Sequence, residues 1–201
     1  MTNEQSRNEV ELCGTVLSSP TFSHENHGTR FSLFSLRVPR LSGQADILQI
    51  LVPSALDAQI VPGSELLLHG QLRSFNNKSG QGNRLVLTVY AMTVEPGGGQ
   101  SVNRILLSGV LCKPPVLRRT PLGRSICDLM LAVSRRYGRA DYLPVIAWGQ
   151  LAVRVSRLAV GDRLTLEGRV QSRTYNKVTE LGTEERIAYE VSVMHLPEED
   201  T

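Results

Sequence analysis

Apolar and polar residues alternate in short runs along the chain, and glycine and proline punctuate the runs. In the second half, residues 104–111, 126–133, 142–148, 163–173 and 186–194 carry period-two alternation or β-branched apolar runs, which predicts five strands. The stretch 149–160, Gly-Gln-Leu-Ala-Val-Arg-Val-Ser-Arg-Leu-Ala-Val, has the apolar spacing of a helix instead. Successive strand residues point to opposite faces. In 142–148 this sends Leu143, Val145 and Ala147 to a core and Tyr142 and Trp148 outward. In the next strand Leu164, Leu166 and Val170 go inward. Arg163, Arg169, Gln171, Arg173 and Tyr175 go outward, with Lys177 just beyond. Pro144 removes a ladder donor and favours an edge or a bulge.

The same pattern occurs twice, at an offset of about 95 residues. Asn8-Glu9-Val10-Glu11-Leu12-Cys13-Gly14-Thr15-Val16 reads against Asn103-Arg104-Ile105-Leu106-Leu107-Ser108-Gly109-Val110-Leu111. Pro20, Gly28 and Asp46 fall on Pro115, Gly123 and Asp141. After a shift of three, Gly63, Leu66, Leu68, Gly70 and Ser74 fall on Gly161, Leu164, Leu166, Gly168 and Ser172. Pro96-Gly97-Gly98-Gly99-Gln100-Ser101 has the composition of a short flexible linker. Expected are an N-terminal domain at 1–96, a linker at 97–101 and a C-terminal domain at 102–201. Five strands with a helix between the third and fourth is the order of the five-stranded, partly open Greek-key barrel, the OB-fold. The predicted class is all-β, two tandem OB-folds, each with room for one short helix.

Charge separates the two copies. Residues 1–100 hold 7 Lys and Arg against 8 Asp and Glu, whereas residues 101–173 hold 13 against 4, a net +9. That asymmetry suits a polyanion partner for the second copy, though a solvated surface would carry it too. Three cysteines, Cys13, Cys112 and Cys127, with no CxxC pair, argue against a disulfide framework or a zinc site. His24-x-x-His27 is the one close histidine pair and lacks a supporting cluster. There is no GxxxxGK[ST] loop and no paired-carboxylate nuclease motif, so neither an enzyme nor a cofactor is expected. The glycines at 80–82 read as a turn. The N-terminus has no apolar signal segment and no window reaches membrane-span length, so a cytoplasmic location is expected.

Asn103-Arg104-Ile105, Thr120-Pro121-x-Gly123, Arg135-Arg136-Tyr137, Trp148-Gly149-Gln150-Leu151-Ala152 and Glu167-Gly168-Arg169-Val170-Gln171-Ser172-Arg173-x-Tyr175 occur in that order. Over residues 102–196 the ordered set resembles the bacterial single-stranded DNA-binding protein family. The first copy resembles it less, through its opening strand and Gly70-Gln71-Leu72-Arg73-Ser74. The resemblance implies sequence-independent binding of single-stranded DNA, in support of replication, repair or recombination. Its stacking positions fall on Tyr137, Tyr142, Trp148 and Tyr175, all aromatic in a chain with only 5% aromatics. Arg135, Arg136, Arg169, Arg173 and Lys177 are the candidate phosphate contacts; for Arg118, Arg119 and Arg124, ordinary surface charge fits equally well. Core or subunit-contact roles for Tyr142 and Trp148 stay open. The resemblance also implies a homodimer with four OB-folds in total, and replication or repair proteins as partners. A primosome-like or mobile-element accessory acting mainly through protein contacts is the alternative.

The first copy lacks the stacking set. Its counterparts are Leu41 or Ser42, Ile47, Pro53 and Asn77. Its strand 47–53 is apolar on both faces, which predicts cover on both sides by the second barrel or another chain. Phe75, with Arg73 and Lys78, is a candidate for residual DNA contact. The chain stops at Leu196-Pro197-Glu198-Glu199-Asp200-Thr201, acidic but without the long linker and apolar tip of well-known family members. Recruitment of partners through such a tail is therefore not expected.

Overall fold

The computed structural model describes residues 6–78, 83–179 and 182–197. The acidic end at 198–201 and the glycine-rich turn at 80–82 lie outside the described residues. The fold is all-β with short helices, in two OB-fold-like copies. By contacts, one compact unit consists of Glu9–Arg73 and Leu87–Arg104. The other consists of Ile105–Thr201 with Ser74–Val86 and the described part of Met1–Asn8. The described residues of 74–86, encoded in the first copy, thus belong with the C-terminal unit.

The first copy supplies β1 (Arg7–Val16), β2 (Thr21–Asn26), β3 (Thr29–Pro39), β4 (Ala45–Pro53), β5 (Glu65–Asn76) and β6 (Leu85–Pro96). Their order is β2-β3-β4-β6-β5-β1, and the end of β1 also pairs with β3. The second copy supplies β7 (Val102–Leu111), β8 (Val116–Arg119), β9 (Ser125–Ser134), β10 (Ala140–Trp148), α1 (Gln150–Val155), β11 (Arg163–Thr179) and β12 (Gly182–His195). The equivalent order returns, β8-β9-β10-β12-β11-β7, with β7 also pairing β9. In both copies the third and last long strands meet in parallel at two positions, Ile50↔Val89 and Leu51↔Tyr90, and Val145↔Val191 and Ile146↔Ser192. Duplication therefore extends from residues to hydrogen-bond register.

The five predicted strands of the second copy all form, and β8 is a sixth. Its four residues are exposed, so no inward-facing position marked it in the sequence. The predicted helix is cut to six residues. Ala152 and Val155 are its buried residues, and Asp162 accepts the Ala159 N–H at 2.8 Å to start the next turn. In the first copy the same place, after Pro53, holds a 3-10 turn at Ser54–Gln59. The pair His27 (φ 48°) and Gly28 (φ 77°) links β2 to β3 as a tight turn with both central residues left-handed.

Alternation places the core as expected. Leu143, Val145, Ala147, Leu164, Leu166 and Val170 are buried. Cys13 and Cys127 are buried free thiols and Cys112 is half-buried; burial pushes all three thiols up in pKa. Within a single chain, strand β4 buries Leu48, Ile50 and Val52 on one face, while on the other Ile47 and Gln49 are exposed and Leu51 and Pro53 half-buried. That second face is the one for which cover by another chain is expected.

Where β7 leaves β11 for β9, the backbones come too close for a side chain. A Cβ on Gly109 would sit 2.9 Å from both the Ala132 carbonyl oxygen and Val133 Cγ2; on Gly14, its counterpart, 2.4 Å from the Arg37 carbonyl oxygen. Gly109→Ala is expected to destabilise the protein by about 1–3 kcal/mol through overpacking. A urea melt checks this, and an unshifted midpoint would show that the crossing can relax.

Candidate nucleic-acid interface

The loop between β9 and β10 is built around one buried carboxylate. Asp141 is fully buried and accepts the Arg135 guanidinium in a two-pronged ion pair. The Arg135 N–H closes the loop onto the Arg139 carbonyl at 2.7 Å. The first copy repeats both features, with Arg40 on fully buried Asp46 and the Arg40 N–H on the Gln44 carbonyl at 2.7 Å. Because the pair recurs where the stacking aromatics do not, its first role is to hold the loop.

That loop presents Tyr137. The residue sits at φ 63°, ψ 36° and is 96% exposed. The left-handed conformation costs an L-residue about 1–2 kcal/mol, and a wholly wet ring gives back no packing. Strained, exposed aromatics belong to contact sites more readily than to cores. Arg136 and Arg139 beside it are exposed.

On β10, Tyr142 and Trp148 occupy the outer face, as parity requires. Tyr142 is 50% exposed and Trp148 half-buried. The Arg124 guanidinium lies 6.0 Å from the Trp148 ring centroid, at the limit of cation–π range. Pro144 breaks no ladder continuity: β10 pairs with β9 without interruption from Ala140↔Ser134 to Trp148↔Ile126. Arg118 pairs with Asp128 at 2.6 Å, and that hydrogen bond pushes the guanidinium further up in pKa.

Strand β11 runs to Thr179, six residues past its predicted end, and pairs antiparallel with β12 over most of its length. It carries Arg169 and Tyr175, half-buried, and Arg173 and Lys177, exposed. The Arg173 guanidinium lies 5.6 Å from the Tyr175 centroid. Gln171 keeps the outward direction that parity assigns it, yet it is buried. Its cross-strand partner is Glu190, also buried, and the Gln171 amide donates to that carboxylate at 3.0 Å. Arg173 reaches the other Glu190 oxygen at 3.5 Å, and Arg169 donates to Gln171 at 3.4 Å. Arg169 and Arg173 are thus tied to a buried polar row, while Arg136 and Lys177 stand further out.

Two residues that sequence patterns did not place at this surface, Ser74 and Asn83, brace it from the end of β5 and from the chain leading into β6. The Ser74 N–H donates to Asp141 at 2.7 Å, and its hydroxyl oxygen accepts the Tyr142 N–H at 2.8 Å. Asn83 accepts the Tyr175 hydroxyl at 3.0 Å and donates its amide to the Ile187 carbonyl. Asn83→Ala and Tyr175→Phe are each expected to cost about 0.5–1.5 kcal/mol, the worth of one such bond. The double variant should lose no more than the larger single loss. Urea unfolding of the four proteins checks it; additive losses would mean the bond is not formed in solution.

Among the described residues no group of three or more His, Cys, Asp or Glu is placed to hold a metal ion, and no helix is long and apolar enough to cross a membrane. His24 instead bonds Ser23 at 3.0 Å and stacks on Phe31.

Residues 102–197 match the model of the single-strand binding protein family. The chain is similar to a single-stranded DNA-binding protein of Clostridium tetani, 36% identical over an alignment of 81 residues, with 37% of this chain and 56% of that one covered. It is similar to single-stranded DNA-binding protein 1 of Clostridium acetobutylicum, 35% identical over an alignment of 85 residues, with 38% of this chain and 77% of that one covered. The matches thus span from about half to about three quarters of those relatives' lengths. In structure it resembles a deletion mutant of the single-stranded DNA binding protein from Thermus aquaticus. There the TM-score is 0.76 at 25% identity, covering 98% of this chain and 97% of that chain.

Proposed function

Since the chain belongs to the single-strand binding protein family, we propose that it binds single-stranded DNA without regard to sequence and performs no catalysis. Bases stack on Tyr137, Tyr142, Trp148 and Tyr175, and Arg136, Arg169, Arg173 and Lys177 hold the phosphate track, with Arg135 fixing the loop that carries Tyr137. What supports this reading is that all four aromatics of the C-terminal unit keep solvent access, with guanidinium groups near two of them, Arg124 by Trp148 and Arg173 by Tyr175. Stacking supplies sequence-tolerant affinity and phosphate contacts supply a salt-dependent share.

Residues 102–201 are the binding domain and 1–96 its diverged copy, joined at 97–101. Each copy closes into a barrel, a reading supported by β1 and β7 pairing on both sides. Two chains assemble into a four-copy homodimer that protects single strands during replication, repair or recombination in the bacterial cytoplasm.

The test is titration of the full chain with dT oligonucleotides, read by Trp148 fluorescence. Quenching at low salt, weakening linearly in log affinity against log salt, is expected. No quenching at low salt would overturn the stacking mechanism and favour a role through protein contacts. A solution mass of one chain would overturn the homodimer.

A further inference from the structure

Position by position, the first copy lacks the stacking aromatics, yet the N-terminal unit assembles an aromatic group of its own. In the second copy the outer face pairs Trp148 with Ile126 across β10 and β9. In the first, the equivalent cross-strand pair is Pro53 on β4 with Phe31 on β3. The aromatic has crossed the ladder within one pair. Residues directly opposite in an antiparallel ladder share a sheet face, so the ring is retained on the outer face, one strand over.

Phe31 is not alone there. The His24 ring stacks on it at 5.1 Å and 19°, and Tyr90 on β6 meets it edge-on at 6.1 Å. His24 is exposed, and Phe31 and Tyr90 are half-buried. An irregularity in β2 between Phe22 and His24 puts Phe22 opposite Ser32 and His24 opposite Phe31. Phe22 therefore faces the other way, 57% exposed, with the Arg30 guanidinium 4.8 Å from its centroid. A hairpin with wet aromatics on both faces and a cation over one of them contributes little to a core. It suits a ligand that is flat, apolar and anionic along one edge.

We propose that the N-terminal unit carries a second, separate contact for single-stranded DNA. A base stacks on the His24–Phe31–Tyr90 group, and Arg30 takes a phosphate as the strand passes the hairpin. This rests on the function proposed above, and it sets the length of strand one chain can cover rather than whether it binds.

The full chain with Phe31→Leu and Tyr90→Leu tests it, since leucine keeps these half-buried positions apolar. The readouts are Trp148 quenching by dT oligonucleotides of increasing length, the occluded length on poly(dT), and ultraviolet cross-linking of bromodeoxyuridine-substituted DNA. Expected are unchanged affinity, within twofold, for the shortest oligonucleotide that quenches, and about tenfold or greater weakening for long ones. The occluded length should shorten, and cross-links should appear in wild-type peptides containing Phe31 or Tyr90. Wild-type behaviour of the variant on long DNA overturns the proposal. So does a changed solution mass with unchanged DNA affinity, which would assign the face to a second copy of this chain. If the wild-type protein shows no quenching by any oligonucleotide, the function proposed above fails, and this contact with it.

Discussion

Replacing Tyr142 and Tyr175 together with alanine is expected to weaken binding to a dT oligonucleotide by at least about thirtyfold, leaving the fold intact. Each base–aromatic stack is worth about 1–3 kcal/mol. Two lost stacks therefore remove about 2–6 kcal/mol, at about 1.4 kcal/mol per tenfold. Both rings have solvent access, so little core packing is lost. The backbone bond from Tyr142 to Ser74 survives the substitution. Tyr175→Phe should keep most of the affinity, because the ring stacks and the hydroxyl only braces. Arg173→Ala, by contrast, should lower the salt slope by about one. A double-alanine variant within about threefold of wild type, measured by fluorescence anisotropy of labelled DNA, would remove stacking from the account.

Arg135→Ala is expected to act on stability rather than on DNA contact, at a cost of about 3–5 kcal/mol. Asp141 is fully buried and its charge is answered by Arg135. Removing one partner of a buried ion pair strands the other charge away from water, and this governs the loss. Some of the cost is recovered because the Arg135 side chain is 26% exposed, leaving room for water to reach the carboxylate. Arg136→Ala, one residue on and exposed, should leave stability within about 0.5 kcal/mol and weaken DNA binding instead. Urea unfolding without DNA separates the two. Equal stability of both variants would show that the pair does not hold the loop, and Arg135 would return to the phosphate track.

Strand alternation made much of this legible from sequence. Leu143, Val145 and Ala147 went inward and Tyr142 and Trp148 outward because a half-buried strand must sort its residues with period two. The repeat was legible because the same close crossing and the same buried Asp were needed twice. What escaped notice lacked such a local signal. Strand β8 buries nothing, so its residues carry no pattern. Gln171 obeys parity in direction, but its burial depends on Glu190 across the ladder. Asn83 meets Tyr175 across 92 residues of sequence with no periodicity linking them. Phe31 was missed for a different reason. Comparing the copies position by position looks along one strand, whereas the ring is kept in the opposing strand of the same pair.

The grouping of Ser74 and Asn83, encoded in the first copy, with the C-terminal unit has an evolutionary consequence. A duplicated gene ordinarily leaves each copy free to drift, be exchanged or be lost. Here a substitution at Tyr175 alters what is tolerated at Asn83, and the loop around Asp141 answers to Ser74. Among descendants, these distant positions should change together. A lineage that discarded the first copy, or cut the gene at the glycine linker, would take the braces of its remaining surface with it. The diverged copy thus lends its sister copy the braces Ser74 and Asn83.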